Sequence, residues 1–201
     1  MTPPIFYFDL GSPYAYLAGE RLRALIAEPV EWQPISLGGL FKLVGRSSWG
    51  LAGPEPRAAG IAEIERRARA RSLPPVRWPD PWPGNYLTAM RAAIYAKREG
   101  LGEAFATCAF RDAFQRGRDL SLRECVLDAA REAGLDPPAV EAAVGDPEIK
   151  LALREATDAA HELGVFGVPT LAIGDELFWG DDELSRAAER LRYASSARSG
   201  S

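Results

Sequence analysis

Residues 4–18 read PIFYFDLGSPYAYLA, and the change of character inside this stretch decides the fold. Residues 4–10 are apolar and rich in aromatic side chains, as a buried strand requires. Gly11 interrupts the run. Ser12-Pro13 then has the form of a helix start, with serine as N-cap and proline at the first helical position, where its missing N–H costs nothing. Tyr16, Leu17, Leu22, Leu25 and Ile26 carry the helix on until Pro29, and residues 30–35 are a second strand candidate. Strand, helix, strand over this span is a βαβ opening.

Beyond Ser36 the pattern becomes helical. Helix signals recur over 55–71, 86–98, 102–116, 121–132, 137–144 and 147–163. Ser121 with Glu124 has the spacing of a capping box, and Asp136 and Asp146, each before a proline, are suited to N-caps. The segment LPPVRWPDPWPGNY (73–86) separates the first two helices, and its prolines predict an extended loop. After the helical block, 169–173 and 176–179 form two short strands joined by Gly174-Asp175, a hairpin signal. Asp181 is expected to cap a last helix that ends near Arg192, before a polar tail expected to be disordered. This order predicts an α/β chain: a thioredoxin-like domain from residues 1–36 and 165–195, an inserted all-α helical domain at 37–164, and a disordered tail at 196–201.

The 201 residues suffice for one large domain or a domain with an insertion, and 47% hydrophobic with 26% charged residues is an ordinary globular balance. A net charge of −4 provides no global basic field for nucleic acid or an anionic membrane. The arginines between Arg57 and Arg71 alternate with Glu63 and Glu65, which predicts a solvated helix face. The start MTPPIFYFDLGSPYAYLAG has neither a basic region nor a long apolar core, and no apolar run approaches the ~20 residues that span a bilayer, so the expected compartment is the cytoplasm. Cys108 and Cys125 lie far apart within predicted helices and read as small buried apolar residues. With one histidine and two separated cysteines, a zinc site of nitrogen and sulfur ligands can hardly be built. A Ser–His–Asp triad would need His161, which shares a periodic face with Lys150, Arg154, Thr157 and Asp158, predicted to face solvent.

The chemistry concentrates at Ser12. A residue between a strand and a helix N-terminus sits among unpaired N–H groups at the positive end of the helix dipole, where a thiolate is well held. Taken alone, the position reads first as a serine that only caps the helix.

Four segments carry a resemblance: FYFDLGSPYAYLA at 6–18, LGGLFK at 37–42, PGN at 83–85 and GVFGVPTLAIGDELFWGDDEL at 164–184. Together they resemble 2-hydroxychromene-2-carboxylate isomerases and kappa-class glutathione transferases, both of the disulfide-oxidoreductase superfamily, over about residues 4–193. Redox members carry Cys-x-x-Cys at the first turn, whereas here the four positions are Ser12-Pro13-Tyr14-Ala15. Without either sulfur this site forms no internal disulfide, so the sulfur must come from a ligand. The resemblance implies that this ligand is glutathione, with the Ser12 hydroxyl donating a hydrogen bond to its thiolate. It also implies a cis bond between Val168 and Pro169, backbone pairing of Val168 with the peptide, and a seat for the γ-glutamyl group at Trp179, Gly180, Asp181 and Asp182. Lys42 and Asn85 match positions that face the second substrate. Trp78 and Trp82 either wall an aromatic pocket or pin the loop to the core. Arg46 departs from the pattern, standing where relatives often carry asparagine. The function implied is a glutathione-dependent isomerase of an unsaturated aromatic-derived carboxylate, acting as a homodimer. The alternatives are a kappa-like transferase and a non-catalytic thiol- or peptide-binding protein.

Overall fold

Four short strands, β1 (Ile5–Phe8), β2 (Glu31–Pro34), β3 (Thr170–Ile173) and β4 (Glu176–Trp179), form one sheet in the order β2-β1-β3-β4. The structure is a computed structural model and describes residues 2–199. β1 runs parallel to β2 with Phe6 opposite Trp32, and antiparallel to β3 with Tyr7 opposite Thr170. A parallel pair needs a crossover, and α1 (Pro13–Leu25) supplies it. β3 and β4 form the antiparallel hairpin expected at Gly174-Asp175.

Alternation along β1 sends its side chains to opposite faces. Phe6 and Phe8 join one large core with Trp32, α1 and the helical block, and Phe8 meets Phe110 at 5.8 Å between ring centroids. Tyr7 joins a smaller core on the other face with Ile35, Leu40, Ala160 and Val168. The helices of residues 37–164 therefore cover the sheet directly, through a core they share with it.

That block contains α2 (Leu37–Val44), α3 (Pro54–Ala70), α4 (Leu87–Arg98), α5 (Gly102–Phe114), α6 (Arg123–Glu132), α7 (Pro137–Gly145) and α8 (Pro147–Glu162). α2 is not among the helices expected, although Leu37, Leu40, Phe41 and Val44 fall at i, i+3, i+4 and i+7, the spacing of an amphipathic helix. Ser36 caps it, its Oγ accepting from the Gly39 N–H at 3.1 Å. The capping box expected at Ser121 is not formed. The Ser121 hydroxyl donates to Asp119 at 2.6 Å and its N–H to the same carboxylate at 2.8 Å, so α6 starts two residues later without a side-chain cap. Asp136 occupies the N-cap position of α7 without a side-chain bond, while Asp146 accepts from the Glu148 N–H at 2.7 Å.

The solvent face expected around His161 is also corrected at one position. Thr157 points inward, donates to the Leu153 carbonyl and accepts from the Ser36 N–H, which ties α8 to the end of β2. Cys125 is buried and Cys108 half-buried, and burial raises both thiols above their ordinary value. The last helix, α9 (Leu184–Ser199), runs through most of the stretch expected as a disordered tail, since neither glycine nor proline interrupts it there; Gly200 and Ser201 lie outside the described residues. No helix of the described residues is long and apolar enough to cross a membrane.

Candidate active site

β1 ends at Phe8, and the turn Asp9-Leu10-Gly11 delivers Ser12 to the start of α1. The Ser12 N–H closes this turn on the Asp9 carbonyl at 3.0 Å, and its Oγ accepts from the Ala15 N–H at 3.2 Å. Ser12 is thus the N-cap expected from the sequence, with Pro13 in the first turn. The hydroxyl accepts from the helix, and no side chain or backbone group among the described residues takes its proton, which remains available to an acceptor in the cavity. Gly11 is required by close approach: a Cβ there would lie 2.4 Å from the Tyr86 ring. Trp82 holds the same turn from the loop side, its indole N–H donating to the Gly11 carbonyl at 3.2 Å.

Beneath the turn lies Asp9, a buried carboxyl that the sequence did not single out. It accepts from the Gly11 N–H at 2.8 Å and the Leu37 N–H at 2.7 Å, joining the Ser12 turn to the start of α2. Burial raises its pKa, and these two backbone bonds pull in the opposite direction.

Ser12 opens into a cavity of about 640 Å³. Its floor includes Gly167, Val168 and Pro169, and the Val168-Pro169 peptide bond is cis. Val168 is buried, yet neither its N–H nor its C=O makes a hydrogen bond among the described residues. A buried backbone edge with open donor and acceptor is suited to pairing with an extended peptide. The same cavity has an aromatic wall. Trp49 lies 4.9 Å from Trp82 between centroids and 6.3 Å from Tyr14. Trp82 both pins the loop and lines the cavity, whereas Trp78 packs behind it and donates to Glu65 at 3.1 Å.

The third wall is charged. Asp181 is fully buried and does not cap α9, which starts at Leu184. Its carboxylate is paired with Arg67 at 2.6 Å and with Arg71 in close contact, and its carbonyl accepts from Arg21 at 2.9 Å. Burial and the neighbouring Arg21 and Arg67 push the Arg71 pKa down to about 10. The arginines of α3 are therefore not simply a solvated face. Arg71 follows the buried stripe of Ile64 and Ala68, and Arg67 packs over the Tyr14 ring at 5.4 Å from its centroid. The i, i+4, i+7 spacing of Ile64, Ala68 and Arg71 is the signal that sequence reading missed. Asp182 is mostly exposed, faces the cavity and lies 3.8 Å from Arg67.

Ser12, Val168, Pro169, Trp179, Gly180, Asp181 and Asp182 are thus brought around one cavity. Lys42 and Asn85 are not. Lys42 is exposed on α2 beside Leu40 and Phe41, which turn inward, and Asn85 is an exposed loop residue whose carbonyl oxygen accepts from the Leu87 N–H at 3.2 Å. The walls instead hold Tyr14, Arg46, Trp49, Arg67, Phe166 and Arg186.

A family profile, the DsbA-like thioredoxin domain, matches residues 5–192. A 2-hydroxychromene-2-carboxylate isomerase of Sphingobium xenophagum is 30% identical over 92% of this chain and 95% of its own. Glutathione S-transferase kappa 1 of Homo sapiens is 26% identical over 94% of this chain and 90% of its own. A solved structure of a 2-hydroxychromene-2-carboxylate isomerase superposes with a TM-score of 0.87 at 24% identity, covering 99% of this chain and 98% of that one. With the βαβ and ββα halves, the cis bond before Pro169 and the Ser12 turn on the same scaffold, this chain belongs to the DsbA-like thioredoxin-domain family, in the group that holds the 2-hydroxychromene-2-carboxylate isomerases.

Proposed function

We propose that this protein is a glutathione-dependent isomerase acting on an unsaturated aromatic-derived carboxylate. The observation that carries the proposal is the Ser12 hydroxyl, held by the Ala15 N–H with its own proton free, facing a cavity beside the open backbone edge of Val168. Bound glutathione would supply a thiolate that adds reversibly to an unsaturated carbon, so that the substrate can rotate about that bond and leave as its isomer.

The chain's own residues supply the rest. Ser12 donates to the sulfur, and the N-terminus of α1 adds its dipole, which favours an anion there. Val168 pairs with the cysteinyl peptide as a minimal added strand. Because the Asp181 carboxylate is already engaged by two arginines, its role is to hold Arg67 in place; Asp182 and Arg67 then offer an anion and a cation to the zwitterionic γ-glutamyl end. Gly180 and Trp179 shape the turn that presents them, with the Gly180 N–H bonded to the Pro169 carbonyl at 2.9 Å. Tyr14, Trp49 and Trp82 wall the space left for a flat second substrate. Lys42 and Asn85, outside these walls, pass their expected place to residues of the wall itself. With this reading goes a cytoplasmic homodimer.

Incubation with glutathione and 2-hydroxychromene-2-carboxylate, followed by chromatography, tests the proposal. The expected outcome is conversion to the open-chain isomer with all glutathione recovered. Accumulation of a conjugate would make the protein a kappa-like transferase, and binding of glutathione without turnover of any unsaturated aromatic carboxylate would make it a thiol-binding protein.

A further inference from the structure

The charged residues lining the cavity are Arg46, Arg67, Asp181, Asp182, Glu183 and Arg186. All but one are balanced within the protein. Arg67 faces Asp181 and Asp182, and Arg186 pairs with Glu183 at 2.8 Å. Arg46 has no carboxylate within ion-pair distance among the described residues. Its guanidinium instead lies 5.9 Å from the centre of the Phe166 ring and 6.0 Å from that of Trp179.

This platform is built rather than incidental. Phe166 and Trp179 pack against each other at 4.7 Å, and both remain partly open, at 39% and 45% exposure. Trp179 lies so close to Gly167 that a Cβ there would be 2.6 Å from its indole nitrogen. The backbone of Arg46 is fixed by its N–H bond to the Phe41 carbonyl at 2.9 Å, just after the left-handed Gly45 that ends α2. Aromatic faces hold a guanidinium weakly and leave its planar N–H fork free, and that fork matches a carboxylate bidentately.

We propose that Arg46, seated on Phe166 and Trp179, is the carboxylate receptor of this cavity. The inference rests on the function proposed above for the choice of ligands. Two carboxylates can reach the receptor: the glycyl end of a thiol tripeptide, given that Phe166 and Gly167 adjoin the Val168 edge, or the acid group of the aromatic second substrate.

Calorimetry with four probes distinguishes them: glutathione, its glycinamide analogue, 2-hydroxycinnamate, and 2-hydroxycinnamide. Wild type should prefer at least one acid over its amide by roughly tenfold, the size of a charged hydrogen bond near a surface. In Arg46→Gln that preference should collapse while the melting temperature stays the same. Collapse in the glutathione pair assigns the glycyl carboxylate to Arg46, and collapse in the cinnamate pair assigns the second substrate. A variant that keeps every preference wild type shows overturns the proposal, as does a wild type indifferent to charge in both pairs. If glutathione fails to bind wild type at all, the function proposed above falls, and the cinnamate pair still decides the role of Arg46.

Discussion

At Ser12 one oxygen meets two demands. As an acceptor it satisfies the Ala15 N–H, and as a donor it keeps a proton for the cavity, a division that a serine can make and an alanine cannot. Its position depends on Asp9, which bonds the peptide N–H groups of Gly11 and Leu37 from below. Burial holds the Asp9 carboxyl above its ordinary range. A carboxyl with a raised folded pKa binds its proton more tightly folded than unfolded. Its stabilising contribution is fully present below the unfolded value, about 3.9, and is lost as pH rises through the folded value. The melting temperature of wild type, measured against Asp9→Asn, should therefore decline from about pH 4 toward neutrality. A wild-type advantage that grows over that window would mean that the two N–H bonds outweigh burial.

Between elements, the decisive contact joins α3 to the turn between β4 and α9 through Asp181, Arg67 and Arg71. Removing one member of a buried ion cluster strands the others, at a typical cost of about 3–5 kcal/mol. Asp181→Ala should therefore lose stability on that scale in urea unfolding, whereas Asp182→Ala, at an exposed pair, should lose no more than about 1 kcal/mol. Equal losses would show that Asp181 is not the keystone of this wall. The contact also shows where sequence reading stops. Caps and prolines mark α1 and α8, and Gly174-Asp175 marks the β3–β4 hairpin, because those signals are local. The inward turn of Arg67 and Arg71 depends on a partner more than a hundred residues away, and alternating charge alone cannot distinguish it from a solvated face. By contrast, the signal for α2 is local and present: Leu37, Leu40, Phe41 and Val44 share one face behind the Ser36 cap, and Lys42 falls off that face.

At the scale of the whole molecule, the strand–helix–strand and strand–strand–helix halves were legible because each carries its own periodicity and turn residues. The one-sheet topology and the cis bond beside Ser12 agree with what the resemblance implied. The cavity walls were legible only in part, since they form where the helical cover meets the sheet and draw on α1, the segment after α2, α3, the 73–86 loop and both ends of the β3–β4 hairpin. Such an arrangement suits a site whose reactive sulfur arrives with the ligand and is held at the turn where the dipole of α1 and the Ser12 hydroxyl converge. The ultraviolet absorbance of the thiolate, titrated against pH in the bound glutathione complex, tests this directly. In wild type the bound thiol should ionise about one unit or more below its free value, as thiols do at helix N-termini, and in Ser12→Ala most of that depression should vanish. An equal depression in the alanine variant would give the task to the N-terminus of α1 alone, and no depression in wild type would contradict the account of this turn as a thiolate site.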